Sequence, residues 1–152
     1  MNTENRTSAQ DRTTYKAEAK WGAEIMAKGF TIVPNIFLSQ QHVLGLSSPQ
    51  CLLLLHLMTY WWEPERNPFP SKAILAQRMG LSERQVQRHI SDLIKAGFLR
   101  RRQETLRGRK GRFIISFDMS GLVKKLQDLD GALSRPGLSL IHISEPTRHV
   151  DI

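Results

Sequence analysis

The alternation of apolar and polar positions resolves the chain into short elements around one strongly amphipathic helix. That helix runs from about Ser82 to Ala96, with Val86, Ile90, Leu93 and Ile94 at i, i+4, i+7 and i+8. Ser82 and Gln85 form an S-x-x-Q capping box at its start, and Gly97 is placed to stop it. Just upstream, Ser71 caps a helix over Lys72 to Met79, with Ile74, Leu75 and Met79 on one face. Gly80 ends that helix, and Leu81 plugs the turn between the two. Phe98 to Arg102 and Arg112 to Phe117 both read as strands. In the second, Phe113, Ile115 and Phe117 are expected to alternate inward, and LRGRKG between the strands supplies two glycines for a hairpin tip.

The flanking pattern is simpler. Cys51 to Met58 is apolar on nearly every face apart from His56, so it predicts a helix buried on most sides, with Ser48 as cap and Pro49 at the first position. Glu63 to Pro70 carries three prolines and is expected to be a loop, with Phe69 adding a short strand. After Asp118, the residues Leu122, Val123, Leu126 and Leu129 share one face of a last helix. At the other end, Met1 to about Thr14 lacks periodicity and is expected to be a disordered tail. Tyr15 to Lys28 predicts a short helix with Trp21 and Ile25 on a narrow stripe and Gly29 as its stop. Gly29 to Asn35 is extended, because Pro34 disfavours the α region for Val33. Ile36 to Val43 adds a further helical turn, and no internal repeat is present.

The expected fold is therefore mainly α with a small β-hairpin, an α+β arrangement. One domain covers 15–130, with its two-helix unit at 71–97 and its hairpin at 98–117. A tail follows over 131–152.

Charge sharpens this picture. Ser71 to Arg112 holds twelve Lys or Arg against three acids, an excess of nine in a chain whose net charge is +8. Everything else is nearly neutral, so the excess marks a surface built for an anionic partner, with double-stranded DNA first. The core stripe of the amphipathic helix leaves Arg84, Arg88, Ser91, Asp92 and Lys95 on the opposite face, with Gln85 and Gln87 on its flanks. Arg can take guanine O6 and N7 in a bidentate pair, and Gln can do the same with adenine N6 and N7. A helix start at Ser82 can hold a phosphate. One such helix alone would be an ordinary solvated face. A short helix, a Gly-containing turn and a capped second helix together form the helix-turn-helix unit. Seven basic residues in the thirteen from Arg100 to Arg112 exceed what protects an exposed strand edge.

Other chemistry is thin. No apolar run approaches the roughly 18 residues of a membrane span, and the polar N-terminus lacks the apolar core of a signal or transit peptide. A cytoplasmic, nucleoid-associated location is expected. The lone Cys51 sits in an apolar helix and is expected to be a buried, inert thiol. Glu63 and Glu65 lie in a proline loop without histidines, and His89 is a boundary residue beside the apolar face. No phosphate loop, nucleophile triad or zinc spacing is present. The reading is a non-enzyme with no cofactor, metal or small-molecule ligand. Trp61 and Trp62 end the central helix, in core packing or a dimer contact. The stripes of the first and last helices are also available to a symmetric homodimer, which would read a palindrome with half-sites about one turn apart.

From about Gly29 to Phe117 the chain resembles a winged helix-turn-helix domain, similar to those of small regulators and replication proteins of bacteria, phages and plasmids. The resemblance rests on GFTIVPN, SSPQCLLLLHLMTY and FPSKAILAQRMGLSERQVQRHISDLIKAGFL. It implies that Ser82 to Lys95 is a recognition helix, with Arg84, Gln85 and Arg88 reading a groove. It also implies a wing tip at Arg107 to Arg112 touching phosphate or the minor groove. The expected DNA-contacting residues are Ser71, Lys72, Ser82, Arg84, Gln85, Gln87, Arg88, Ser91, Lys95, Arg102, Arg107, Arg109, Lys110 and Arg112. The leading expectation is a sequence-specific transcriptional regulator. An origin-binding replication protein of a mobile element and a protein–protein adaptor are the alternatives. A single-strand binder is less favoured, because the basic segment lacks interleaved aromatics.

Leu138 to Ile152, LSLIHISEPTRHVDI, resembles a translated sequencing adapter. The transposase end read in one frame gives Leu138 through Arg148, an index-length gap completes Asp151, and the fixed bases resume at Ile152. His142, Glu145 and His149 are therefore not read as a metal cluster. The natural chain is expected to continue beyond about Gly137 with different residues.

Overall fold

A computed structural model of the chain describes residues 2–105 and 111–134. The chain divides into two units, Met1–Ile32 and Val33–Ile152.

In the first unit, α1 spans Asn2–Trp21 and α2 spans Ala23–Ala27. Two expectations are corrected here. Asn2 to Thr14 is helical rather than disordered, and the helix expected over Tyr15 to Lys28 is broken at Gly22. Once a helix is nucleated, each further residue adds a backbone hydrogen bond without needing an apolar stripe, so α1 extends through polar sequence. Gly22 takes φ 87°, a conformation that glycine adopts without a steric penalty, and separates the two helices. Trp21 and Ile25 are exposed.

The second unit begins with α3 (Asn35–Ser39) and α4 (Gln41–Leu44), where the sequence suggests one continuous turn. Helix α5 covers Ser48–Met58. Its cap is Ser47 rather than Ser48. The Ser47 hydroxyl accepts from the Gln50 N–H, while Gln50 Oε1 accepts from the Ser47 N–H at 2.9 Å. The reciprocal pair needs a three-residue spacing, and only Ser47 has it. Leu53, Leu54 and Leu57 of this helix are fully buried, as the all-round apolar pattern requires.

Helix α6 (Lys72–Met79) is capped by Ser71, whose hydroxyl accepts from the Ile74 N–H at 3.1 Å. It ends at Gly80 with φ 65°, a left-handed turn. Helix α7 (Glu83–Lys95) opens on the Ser82–Gln85 capping box, closes at Ala96, and buries Val86, Ile90 and Leu93. Leu81 packs against the core between the two helices.

Strands β1 (Arg100–Thr105) and β2 (Phe113–Asp118) pair antiparallel, with Arg101 opposite Phe117 and Gln103 opposite Ile115. Phe117 is buried, but Phe113 and Ile115 are exposed. The expected inward alternation fails beyond Phe117, because only the base of the hairpin lies on the core. Phe69 forms no strand. Its neighbour Pro68 instead accepts one hydrogen bond from the Phe117 N–H at 2.9 Å. Helix α8 (Ser120–Leu133) buries Leu122 and packs Leu126 against the same core. That core joins α3, α5, α6, α7, the hairpin base and α8. The hairpin tip at Leu106 to Lys110 and the adapter-like segment lie outside the described residues.

Candidate nucleic-acid interface

Burial of Val86, Ile90 and Leu93 turns the other face of α7 outward. Arg84, Arg88 and Lys95 are exposed there, as are Glu83 and Asp92. The helix alone thus carries a small positive excess, and the charge is concentrated further along, on β1. Ser82 and Gln85 are also exposed, but both are engaged in the cap. Gln85 Oε1 accepts from the Ser82 N–H at 3.0 Å and stands 3.2 Å from the Ser82 hydroxyl. Gln85 therefore retains its amide N–H donors for a base, rather than the full donor–acceptor pair that adenine requires.

Gln87 and Ser91 are half-buried and joined, Gln87 Nε2 donating to the Ser91 hydroxyl at 3.1 Å. This pair faces the hairpin side of α7. A cleft of about 460 Å³ opens there, lined by Ser71, Lys72, Gln87, Arg101, Ile115 and Phe69. The start of α6, the flank of α7 and the base of the hairpin thus meet around two cations with no acid in the lining.

The hairpin has two chemically different faces. Arg101 stands opposite Phe117 and lines the cleft with Lys72 and Gln87. Arg102 points to the other face, where it pairs with Asp118 at 3.3 Å. The sequence singled out Arg102 and passed over Arg101. The period of two along a strand places neighbouring arginines on opposite faces, but only the register with β2 says which of them meets the cleft. Asp118 also accepts from the Ser120 N–H at 2.9 Å. Hydrogen bonds from the Ser120 side chain and backbone, with further help from Arg102, hold its carboxyl below the usual aspartate range. Arg112 is exposed beside β2, and Arg107, Arg109 and Lys110 lie outside the described residues.

Away from this surface, burial raises the pKa of the Cys51 thiol, which leaves it protonated at neutral pH. His56 is pushed toward its neutral form by burial and then by Arg78. Trp61 packs against the core, while Trp62 is exposed. Among the described residues there is no group of side chains suited to a metal ion, and no helix is long and apolar enough to cross a membrane.

Residues 44–99 match the family model of a helix-turn-helix domain, a span running from the end of α4 to the threshold of β1. The chain carries a winged helix-turn-helix DNA-binding domain. In that frame α7 is the second helix of the motif and the β1–β2 hairpin is the wing. Among solved structures, this winged-helix chain is similar to the N-terminal domain of a DnaD protein from Geobacillus kaustophilus HTA426. The two share 27% identity at a TM-score of 0.53, over 75% of this chain and 92% of that one. It also aligns with a possible transcriptional regulator from Methanosarcina mazei Go1, at 15% identity and a TM-score of 0.42, over 75% and 87% of the two chains. A third alignment is to reduced AbfR bound to DNA, at 15% identity and a TM-score of 0.37, over 97% and 92%. A search of the curated proteins returned no match.

Proposed function

We propose that this winged-helix chain binds double-stranded DNA in a sequence-specific way and acts as a small transcriptional regulator rather than an enzyme. The observation that carries this reading is the adjacency of two surfaces. The exposed face of α7 bears Arg84 and Arg88, and it borders the cationic cleft where Lys72 and Arg101 meet. In this reading α7 enters the major groove, Arg88 takes a base edge, and the amide of Gln85 donates to an acceptor. Lys72, Arg101, Arg112 and the wing tip neutralise phosphates and supply most of the affinity. Such a partner would keep the protein with the nucleoid.

The test is a selection of genomic fragments by the purified chain, followed by gel retardation at moderate salt. A recurring motif that binds more tightly than random duplex supports the reading. Equal retardation of all sequences removes the base-reading claim.

A second reading is an origin-binding replication protein of a phage, plasmid or integrative element. It is favoured by the likeness to the N-terminal domain of a DnaD protein, a replication protein. The same selection separates the two roles, since an origin binder enriches iterated repeats at one locus and a regulator enriches promoter-proximal sites.

A further inference from the structure

A second cleft, of about 420 Å³, lies beside the cationic one. Its walls include Tyr60, Trp62, Arg66, Asn67 and Ile74, and it shares Phe69, Pro70 and Ser71 with the first cleft. Trp62 is 82% exposed and Phe69 55%, so two large aromatic side chains on this lining stand open to solvent. Arg78 stacks over the Tyr60 ring at 4.7 Å, so a cation already sits against the aromatic wall. With Arg66 and Arg78 nearby, Glu63 is the only acid on this lining.

We infer that this cleft accepts an unpaired nucleobase from a single-stranded segment continuing out of the duplex bound at the neighbouring surface. The inference rests on the duplex-binding reading and extends it. Three features favour a nucleic acid over an apolar protein side chain. The flat faces of Trp62 and Phe69 suit base stacking, which tolerates any sequence because every base has a π-face. The Asn67 amide on the wall offers the donor–acceptor pair of a base edge. The shared rim at Phe69 to Ser71 joins the cleft to Lys72 and Arg101, so a phosphate backbone leaving the duplex stays beside positive charge. Trp62 directly precedes the proline loop and Phe69 lies in it, both outside the basic segment, which is why that segment alone disfavours single strands.

The experiment compares a blunt duplex of about two turns with the same duplex carrying a short oligothymidine overhang, at low salt. Both are measured with the unaltered chain, Trp62→Ala and Trp62→Phe. The expected result is that the overhang tightens binding about tenfold, the equivalent of one stacked base. Trp62→Ala should remove that gain and keep the blunt-duplex affinity, while Trp62→Phe should restore most of it. Equal binding of both duplexes by the unaltered chain would overturn the inference while leaving duplex binding intact. A gain that survives Trp62→Ala would overturn it too, because the overhang would then be held elsewhere on the chain. A chain that binds neither duplex fails the duplex reading itself and takes this inference with it.

Discussion

Gly121, at the start of α8, lies directly against the carbonyl oxygen of Gly97, the residue that ends α7's turn into the wing. The next residue continues the contact, as the Leu122 N–H donates to the Phe98 carbonyl at 3.0 Å. Only a residue without a Cβ allows this approach, so the last helix is seated on the same turn that launches the wing.

Gly121→Ala should therefore destabilise the domain. Its Cβ would overlap rigid backbone at Gly97 and Phe98, and forced packing of that kind costs about 1–3 kcal/mol. Gly131→Ala in the same helix meets nothing within 4 Å and should instead stabilise by up to about 1 kcal/mol. Urea melts of the two variants should shift in opposite directions. Equal shifts would show that α8 is not anchored at Gly121.

Acid sensitivity should centre on Asp118. Its folded pKa is depressed by the Ser120 hydrogen bonds first and by Arg102 further down. A depressed carboxylate contributes stability that is fully present above its ordinary value of 3.8 and is lost as pH falls through the lower folded value. Thermal stability of the unaltered chain should hold from neutral pH to about that ordinary value and then fall. Asp118→Asn should be less stable at pH 7, by about 1 kcal/mol for a lost charge-assisted bond. It should also show a shallower loss in acid. An unchanged acid slope would assign the sensitivity to other carboxylates.

Much of this architecture was legible because local chemistry and tertiary demand agree. The Ser82–Gln85 box, the Gly80 stop and the Val86–Ile90–Leu93 stripe each follow from spacings within one turn or two, and all three appear where the pattern puts them. Relations between elements were not legible. Nothing in the string RRR distinguishes the arginine facing α7 from the one paired with Asp118, since that depends on strand register. Phe113 and Ile115 alternate like core residues, yet the hairpin carries them past the end of the core. Trp62 reads as a packing or dimer-contact residue and Phe69 as part of a short strand, yet both stand exposed after α5 ends.

The two faces of the wing predict an asymmetry between neighbouring arginines. Arg101→Ala should weaken duplex binding for all sequences alike and reduce the salt slope by about one. Arg102→Ala should act mainly on folding, by no more than about 1 kcal/mol for a partly exposed ion pair, and should leave the slope largely intact. Titrations at several salt concentrations check both. A larger slope change for Arg102→Ala would reverse the assignment of the faces.

Helix α7 holds the fold with its buried face and, in the proposed reading, DNA with its exposed one, and two substitutions should expose that division. Ser82→Ala removes the hydroxyl that accepts from the Gln85 N–H and should cost about 1 kcal/mol of stability. The N–H that holds Gln85 Oε1 belongs to the backbone and survives the substitution, so base preference should stay unchanged while stability falls. Arg88 is exposed, so Arg88→Ala should leave stability within about 0.5 kcal/mol. Its effect should appear in binding instead, as a loss on the order of 1–3 kcal/mol with relaxed preference at one base pair. Selection of bound fragments with each variant, alongside melts, distinguishes the two. If Arg88→Ala lowers affinity equally for every sequence, Arg88 contacts phosphate, and base reading must rest with Arg84 and the amide of Gln85.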